Sequence, residues 1–241
     1  MTGSNERGRP RKPGLQSKWQ SVVDSLEAII PIYEKGSSRI SLFSDRAMRE
    51  EVASFAVDGH QGVVVLDLGS GPGTMARVVS AKGGSPLLAD ASRKMLASAQ
   101  GFDRVQCVFE ALPLRSGSVE AATAGFSIRD ARDLESALAE ISRVVMPGGR
   151  FAFCDLGKPV SKAKAWVVGA YIAVAPPLIG FVTGGRPGLR FGSLRQTYKL
   201  VLDNGSLRRL LQSYFRAVTL TERQLGGSVV VRCTGRGGLD A

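Results

Sequence analysis

Val63-Val64-Val65-Leu66-Asp67-Leu68-Gly69-Ser70-Gly71-Pro72-Gly73 decides how this chain folds. Residues 63–68 are apolar apart from Asp67 and show no polar alternation, the pattern of a strand buried on both faces. The glycines that follow let the backbone turn sharply and bring N–H groups close to a ligand with no Cβ in the way. Residues 74–81 then read as a helix. Strand, glycine loop and helix in that order open a parallel α/β sheet.

Further apolar strands are expected at 85–89, 105–109, 121–126 and 150–156. Helices fall between them at 92–99 and 133–145, the second stopped by Pro147-Gly148-Gly149. Upstream, Val22, Val23, Leu26, Ile29 and Ile30 recur at helical spacing over 19–33. A second helix is expected over 45–56, with Asp45 as N-cap. After Lys158 the rhythm breaks, and an insertion runs to about residue 205. A helix at 206–215 and strands at 217–222 and 228–234 close the chain, so the sheet ends in one antiparallel strand. The domain reading is a basic, disordered tail at 1–16 and a single domain at 17–241, with the insertion forming a lid.

The chain has 241 residues with 32 Lys+Arg against 21 Asp+Glu, a net charge of +11. Such a balance selects polyanions or an anionic membrane as neighbours and says nothing about fold. The charge is uneven. Residues 158–216 hold ten Lys/Arg against Asp203 alone. The tail holds Arg7-Gly8-Arg9-Pro10-Arg11-Lys12-Pro13, which matches an AT-hook core able to lie in an A·T minor groove. Read plainly, it is a solvated basic tail. Cys107, Cys154 and Cys233 form no C-x-x-C pair and, with the lone His60, no zinc spacing. They read as small hydrophobes in a reducing interior. The N-terminus has no apolar secretory core, so a cytoplasmic location is expected.

The glycine loop alone fits a dinucleotide or S-adenosylmethionine (SAM). The pattern is G-x-G-x-G rather than G-x-G-x-x-G, and Asp67 precedes it. A carboxylate there repels a pyrophosphate but attracts the amino group of a methionine moiety. Asp90, at the end of the next strand, can take ribose hydroxyls in charge-assisted bonds of about 1.5–3 kcal/mol each. Together these features select SAM.

Residues 65–73 resemble motif I of class I methyltransferases, and Asp90-Ala91-Ser92-Arg93-Lys94-Met95-Leu96 resembles the acidic segment that follows it. Phe126-Ser127-Ile128-Arg129-Asp130, then Arg143 through Arg150 and Asp155-Leu156-Gly157-Lys158-Pro159, are similar to the ubiquinone/menaquinone biosynthesis C-methyltransferase family. Gly226-Gly227-Ser228-Val229-Val230 resembles its C-terminal segment, and the likeness covers roughly 33–234. It implies a Rossmann-like seven-stranded sheet, SAM as cofactor, and a lipophilic quinol precursor such as a demethylmenaquinol as acceptor. It carries the cofactor site onto Asp67, Gly69, Ser70, Gly71, Gly73, Asp90, Ala91, Glu110 and Phe126. Tyr33 is implied to lie near the acceptor ring. The chain departs from the family at Val108, where an Asn or Asp is usual, and at Asp130, where Asn is usual.

Arg129 and Asp130 fall at the C-terminal end of the fourth strand, where such sheets bind ligands. Asp130 is placed to take a phenol proton and Arg129 to stabilise the phenolate, with Tyr33 beside them. The plain alternative is an ion pair capping the next helix. Residues 165–182 carry no charge, but Pro176-Pro177 divides them, so two short apolar segments are expected rather than a membrane span. Flanking Lys and Arg suit peripheral contact with an anionic inner leaflet. Two alternatives remain: methylation of another lipid or small aromatic molecule, and a nucleic-acid-directed enzyme using the tail. The oligomeric state stays open.

Overall fold

A computed structural model describes residues 19–237. The AT-hook match at 7–13 and the tail at 1–16 lie outside the described residues. Seven strands form one sheet: β1 (Val64–Leu68), β2 (Ser85–Asp90), β3 (Asp103–Gln106), β4 (Val119–Gly125), β5 (Val145–Leu156), β6 (Phe215–Arg223) and β7 (Ser228–Arg236). Their order is β3-β2-β1-β4-β5-β7-β6. The first five run parallel, and β7 is antiparallel to both β5 and β6. The carboxyl ends of β1, β2 and β4 therefore meet on one edge around the glycine loop.

The unbroken apolar runs are explained by two core layers. Leu66 and Leu68 of β1 share one layer with Phe151 and Phe153 of β5 and Val229 and Val231 of β7. Helices α6 (Leu134–Val144) and α9 (Asn204–Gln212) cover it through Leu138, Ile141, Leu207 and Leu211. Val65, Ala152, Cys154 and Val230 point the other way, against α3 (Asp45–Val57) and α4 (Thr74–Ala81). Successive residues of a strand alternate between the faces, so both sets must be apolar. Burying a leucine such as Leu66 or Leu68 contributes about 1.5–3 kcal/mol. Cys154 and Cys233 lie in these layers, and burial pushes the Cys154 thiol up to about 12.

Several boundaries differ from the sequence reading. Strand β3 begins two residues earlier than expected and ends three earlier. The first helix ends at Glu27, because Pro31 forces a 3-10 turn; a second, α2 (Tyr33–Ile40), follows. Ser44 rather than Asp45 precedes α3 as its N-cap residue. Pro147-Gly148-Gly149 does not stop α6: the helix passes directly into β5, and these residues sit where the β4–β5 register shifts. Gly148 takes φ +77° there, so the segment is a bulge.

The largest correction concerns the insertion. Pro176 and Pro177 lie inside one 23-residue helix, α7 (Lys162–Gly184), not between two short segments. A proline in a helix interior costs about 3 kcal/mol or more. Packing of Val168, Ile172, Pro176 and Gly180, four residues apart on one buried face, offsets that cost. The short helix α8 (Leu194–Leu200) packs against α7. Lys158 and Asn204 exchange two 2.8 Å hydrogen bonds, so the insertion leaves and returns at one point. By length and composition, α7 is the one helix among the described residues able to cross a membrane; 22% of its most apolar window is buried.

Candidate active site

The glycine loop is built by two different requirements. Gly69 has φ +60°, and a Cβ on it would lie 2.5 Å from the Ser127 Cβ. Its N–H donates to the Ala89 carbonyl at 2.7 Å, and Ser127 Oγ donates to the Leu68 carbonyl at 2.7 Å. Gly69 is thus a packing glycine that lets β4 close on β1. Gly71, at φ +53°, has only Met95 Sδ near an added Cβ, at 4.0 Å. It faces open space in the cleft. Its N–H donates to Asp90 Oδ2 at 2.8 Å. Gly73, at φ +81°, leads into α4.

Two buried polar atoms of the residues beside this cleft, Asp67 Oδ2 and Ser70 Oγ, have no hydrogen-bond partner among the described residues. Burial pushes the Asp67 carboxyl up to about 7, against the pull of the Arg49 guanidinium. Its other oxygen accepts a long 3.4 Å bond from Thr123 Oγ1. Arg49 itself is 4% exposed, and its guanidinium lies 5.1 Å from the Phe126 ring. It donates to the Gly125 carbonyl at 3.3 Å, while Nε is unpartnered among the described residues. The sequence reading missed this residue. Its signal was there: Arg49, Val52, Ala53 and Ala56 fall at helical spacing on the buried face of α3.

Asp90 ends β2. Its Oδ1 accepts the Ser92 N–H and its Oδ2 the Gly71 N–H, both at 2.8 Å. Burial still raises its carboxyl above the usual range. Ser92 caps α5 (Arg93–Ser98) by accepting the Met95 N–H at 3.1 Å. Its hydroxyl also donates to Glu27 at 2.6 Å, and Glu27 pairs with Lys94 at 2.8 Å. These bonds fasten α1 (Trp19–Glu27) over the cleft, and Trp19 stacks on Arg132 at 3.8 Å. Ala91 and Glu110 line the same cleft, as does Val108. Glu110 also accepts the Asp133 N–H at 3.0 Å, so part of its carboxylate is already committed.

The third wall follows β4. Phe126 has φ +63°, a left-handed backbone that costs a non-glycine residue about 1–2 kcal/mol. Its N–H donates to the Cys154 carbonyl at 2.7 Å. A 3-10 turn at Ile128–Asp130 then presents Arg129 and Asp130. Arg129 binds Asp155 twice, through its backbone N–H to Oδ2 at 3.0 Å and through Nη1 to Oδ1 at 2.6 Å. Its Nη1 also donates to the Phe126 carbonyl, and Nη2 lies 3.5 Å from Asp130 Oδ2. Burial opposes the charge on Arg129, but Asp130 and Asp155 outweigh it and hold the guanidinium firmly protonated. Burial pushes Asp130 up to about 6, moderated by Arg129 and reinforced by Asp155. Asp130 Oδ1 has no partner among the described residues. The pair does not cap the next helix; Asp133 does that for α6. Asp155, at the end of β5, received no role in the sequence reading because its partner lies 26 residues away.

Beyond this wall lies an apolar cavity of about 370 Å³. Ile29, Ile40, Leu156, Ile172 and Phe191 line it. Tyr33, Phe126 and Asp130 border both this cavity and the glycine-loop cleft. Burial raises the Tyr33 phenol, against the positive charges of Arg129 and Arg49.

A sheet in this order, with the glycine loop after β1 and an acid ending β2, defines a class I SAM-dependent methyltransferase. The unpartnered Asp67 and Ser70 atoms and the gap at Gly71 suit a ligand bearing an ammonium group. The family model described as "Methyltransferase domain" matches residues 66–153. A ubiquinone/menaquinone biosynthesis C-methyltransferase of Desulfotalea psychrophila is 32% identical over 70% of this chain and 72% of its own length. A demethylmenaquinone methyltransferase of Mycobacterium marinum is 30% identical over 73% and 77%. The chain belongs to this family of C-methyltransferases. A SAM-dependent methyltransferase of Thermotoga maritima shares the fold at a TM-score of 0.60, with 19% identity over 88% of this chain and 99% of that one.

Proposed function

We propose that this protein methylates a ring carbon of a polyprenylated quinol precursor, most simply a demethylmenaquinol, in quinone biosynthesis. The observation that carries the reading is the meeting of a large apolar cavity with the cofactor cleft at Tyr33, Phe126 and Asp130. A cavity of that lining receives a greasy ring and the start of its tail. SAM supplies an electrophilic methyl group on a sulfonium.

The chain's own residues have three tasks. Asp67 and Ser70 receive the methionine end of the cofactor, Asp90 the ribose, and the Ala91 and Glu110 wall the adenine. Phe126 and Tyr33, which border both cavities, would hold the acceptor ring against the cofactor cleft, and orienting two reactants in this way can remove several kcal/mol of barrier. Asp130 Oδ1 takes the acceptor's phenol proton, and Arg129 stabilises the phenolate so formed. Bound SAM would supply its methyl group to the ring carbon made nucleophilic in this way, the sulfonium leaving as a neutral thioether. The ring proton at that carbon then leaves to water and Asp130 returns its proton to the ring oxygen, which restores the aromatic quinol, so one proton is released overall.

Labelled SAM tests this against reduced demethylmenaquinol, a benzoquinol analogue and total RNA. Label is expected in the naphthoquinol. Label in RNA with none in either quinol overturns the reading.

The loop assignment has its own test. Gly71→Ala is expected to weaken SAM binding by at least about tenfold while lowering Tm by only about 2–4 °C, the cost of about 1 kcal/mol of left-handed strain. Gly69→Ala meets the Ser127 side chain and should lower Tm well beyond that. Calorimetry and thermal melts separate them; unchanged SAM affinity in Gly71→Ala counts against the assignment.

Asp67 makes a second prediction. With its carboxyl near 7, it is partly protonated at neutral pH. A cationic ammonium beside it favours the charged form. SAM binding at pH 7 should therefore release up to about half a proton, seen as a calorimetric heat that varies with the buffer's ionisation enthalpy. Asp67→Asn should remove that dependence. A heat independent of buffer in the unmodified protein contradicts the role given to Asp67.

A further inference from the structure

Helix α7 has two faces of opposite fate. Val168, Ile172, Pro176 and Gly180 are buried, whereas Trp166, Ala170, Val174, Leu178 and Val182, also four apart, are exposed. The second set lies about 200° around the helix from the first. Trp166 is 75% exposed and Val182 81%. Contiguous exposed apolar surface of this kind marks an interaction site.

The same surface continues to the mouth of the acceptor cavity. Val167 lines that cavity, as do Leu42 and Leu225. The two leucines are about 60% exposed and have left-handed backbones, at φ 53° and 61°. Left-handed φ is uncommon outside glycine. Gln224 ties the two turns together, donating to the Ser41 carbonyl at 2.6 Å and to Ser44 Oγ at 2.9 Å. The fold thus holds apolar side chains outward at an opening that leads to the active site.

Charge selects the partner. Lys162 and Lys164 stand exposed at one end of α7, and Arg186 and Arg190 just beyond the other. Residues 156–202 contain no Asp or Glu. A second copy docked face to face through this surface would set these cations against one another with no acid in the segment to pair them. The helix is also tied into the domain on its other side. Tyr171 donates to the Ile40 carbonyl at 2.7 Å, Arg39 donates to Thr183 at 2.9 Å, and Gly180 packs against the Gly188 backbone. It lies on a surface rather than crossing it.

We propose that the exposed face of α7 and the cavity mouth beside it dock on a membrane rich in anionic lipid, and that the acceptor enters the cavity from the bilayer. The acceptor's route rests on the quinol reading above. The docking does not, because it follows from the apolar stripe and its basic ends. This is the geometry of an interfacial helix, with apolar side chains at the acyl boundary and cations at the headgroups.

The test is flotation of the full chain with vesicles of phosphatidylcholine mixed with phosphatidylglycerol, compared with phosphatidylcholine alone. In a Trp19→Phe background Trp166 is the sole tryptophan, so brominated acyl chains report its depth. The expected result is flotation with the anionic vesicles and quenching of Trp166. Lys162→Gln with Lys164→Gln should lower partitioning about 25-fold, about fivefold per charge. A full-length variant with Arg7, Arg9, Arg11 and Lys12 replaced by Gln should still quench. Three results overturn the proposal: no flotation, binding that disappears with the tail charges, or a dimer in sedimentation that shields Trp166. None of these arms contains an acceptor. Quinol methylation without docking therefore sinks this inference alone, and docking without quinol methylation sinks the other.

Discussion

Arg129→Ala is expected to lower kcat about 100- to 10,000-fold with SAM affinity little changed, because it removes the group proposed to stabilise the developing phenolate. The side chain is 8% exposed and satisfies Asp155 at 2.6 Å. Its loss leaves the buried carboxylates of Asp130 and Asp155 without their shared cation, which costs about 3–5 kcal/mol of stability. Arg129→Lys separates the two effects. It restores a cation to the site but cannot reproduce the fork that binds Asp155 and the Phe126 carbonyl together. It should recover most of the lost stability and only part of kcat. Full turnover in both variants, with SAM still bound, removes Arg129 from the mechanism.

Asp130→Asn should move activity and stability in opposite directions. A carboxyl near 6 makes a base for neutral conditions, so kcat is expected to rise tenfold per pH unit below about pH 6 and level off above it. Asn cannot accept the proton; kcat should fall about 100- to 10,000-fold and the acid limb should vanish. Stability follows the other sign. The folded-state value of Asp130 lies above its unfolded value near 3.8, so the folded protein binds that proton more tightly. Stability is therefore lost as pH rises from about 4 through about 6, by up to about 3 kcal/mol. Asp130→Asn escapes this penalty, and its Tm above pH 6 should exceed that of the unmodified protein by several degrees. A variant that keeps the acid limb shows that another group is the base.

The resemblance put Asn where this chain has Asp130. Its surroundings suit the acid. Arg129 compensates one oxygen of the carboxylate at 3.5 Å, and the other is buried with no partner among the described residues. An Asn in that position could hydrogen-bond an acceptor hydroxyl but could not carry its proton away.

The layout of the sheet and the position of the cofactor loop are legible in residues 63–73 and in the apolar runs after them, because strand burial and glycine turns are local properties. A strand covered on both faces has no polar register to hide, and a loop that needs φ > 0 needs glycine. Asp90 was readable for the same reason: it ends a strand, and parallel strands end at the site. Other features depend on residues far apart in the chain. Arg129 and Asp155 are 26 residues apart and meet because β4 pairs with β5, with Gly125 opposite Cys154. Arg49 reaches the Gly125 carbonyl and the Phe126 ring because α3 packs against β4 and β5. Helix α7 runs through two prolines because the buried face it shares with the rest of the insertion outweighs their local cost. Local propensity acts over a few residues at a time, whereas the energy of a buried pair or a packed helix face exists only once distant segments have come together.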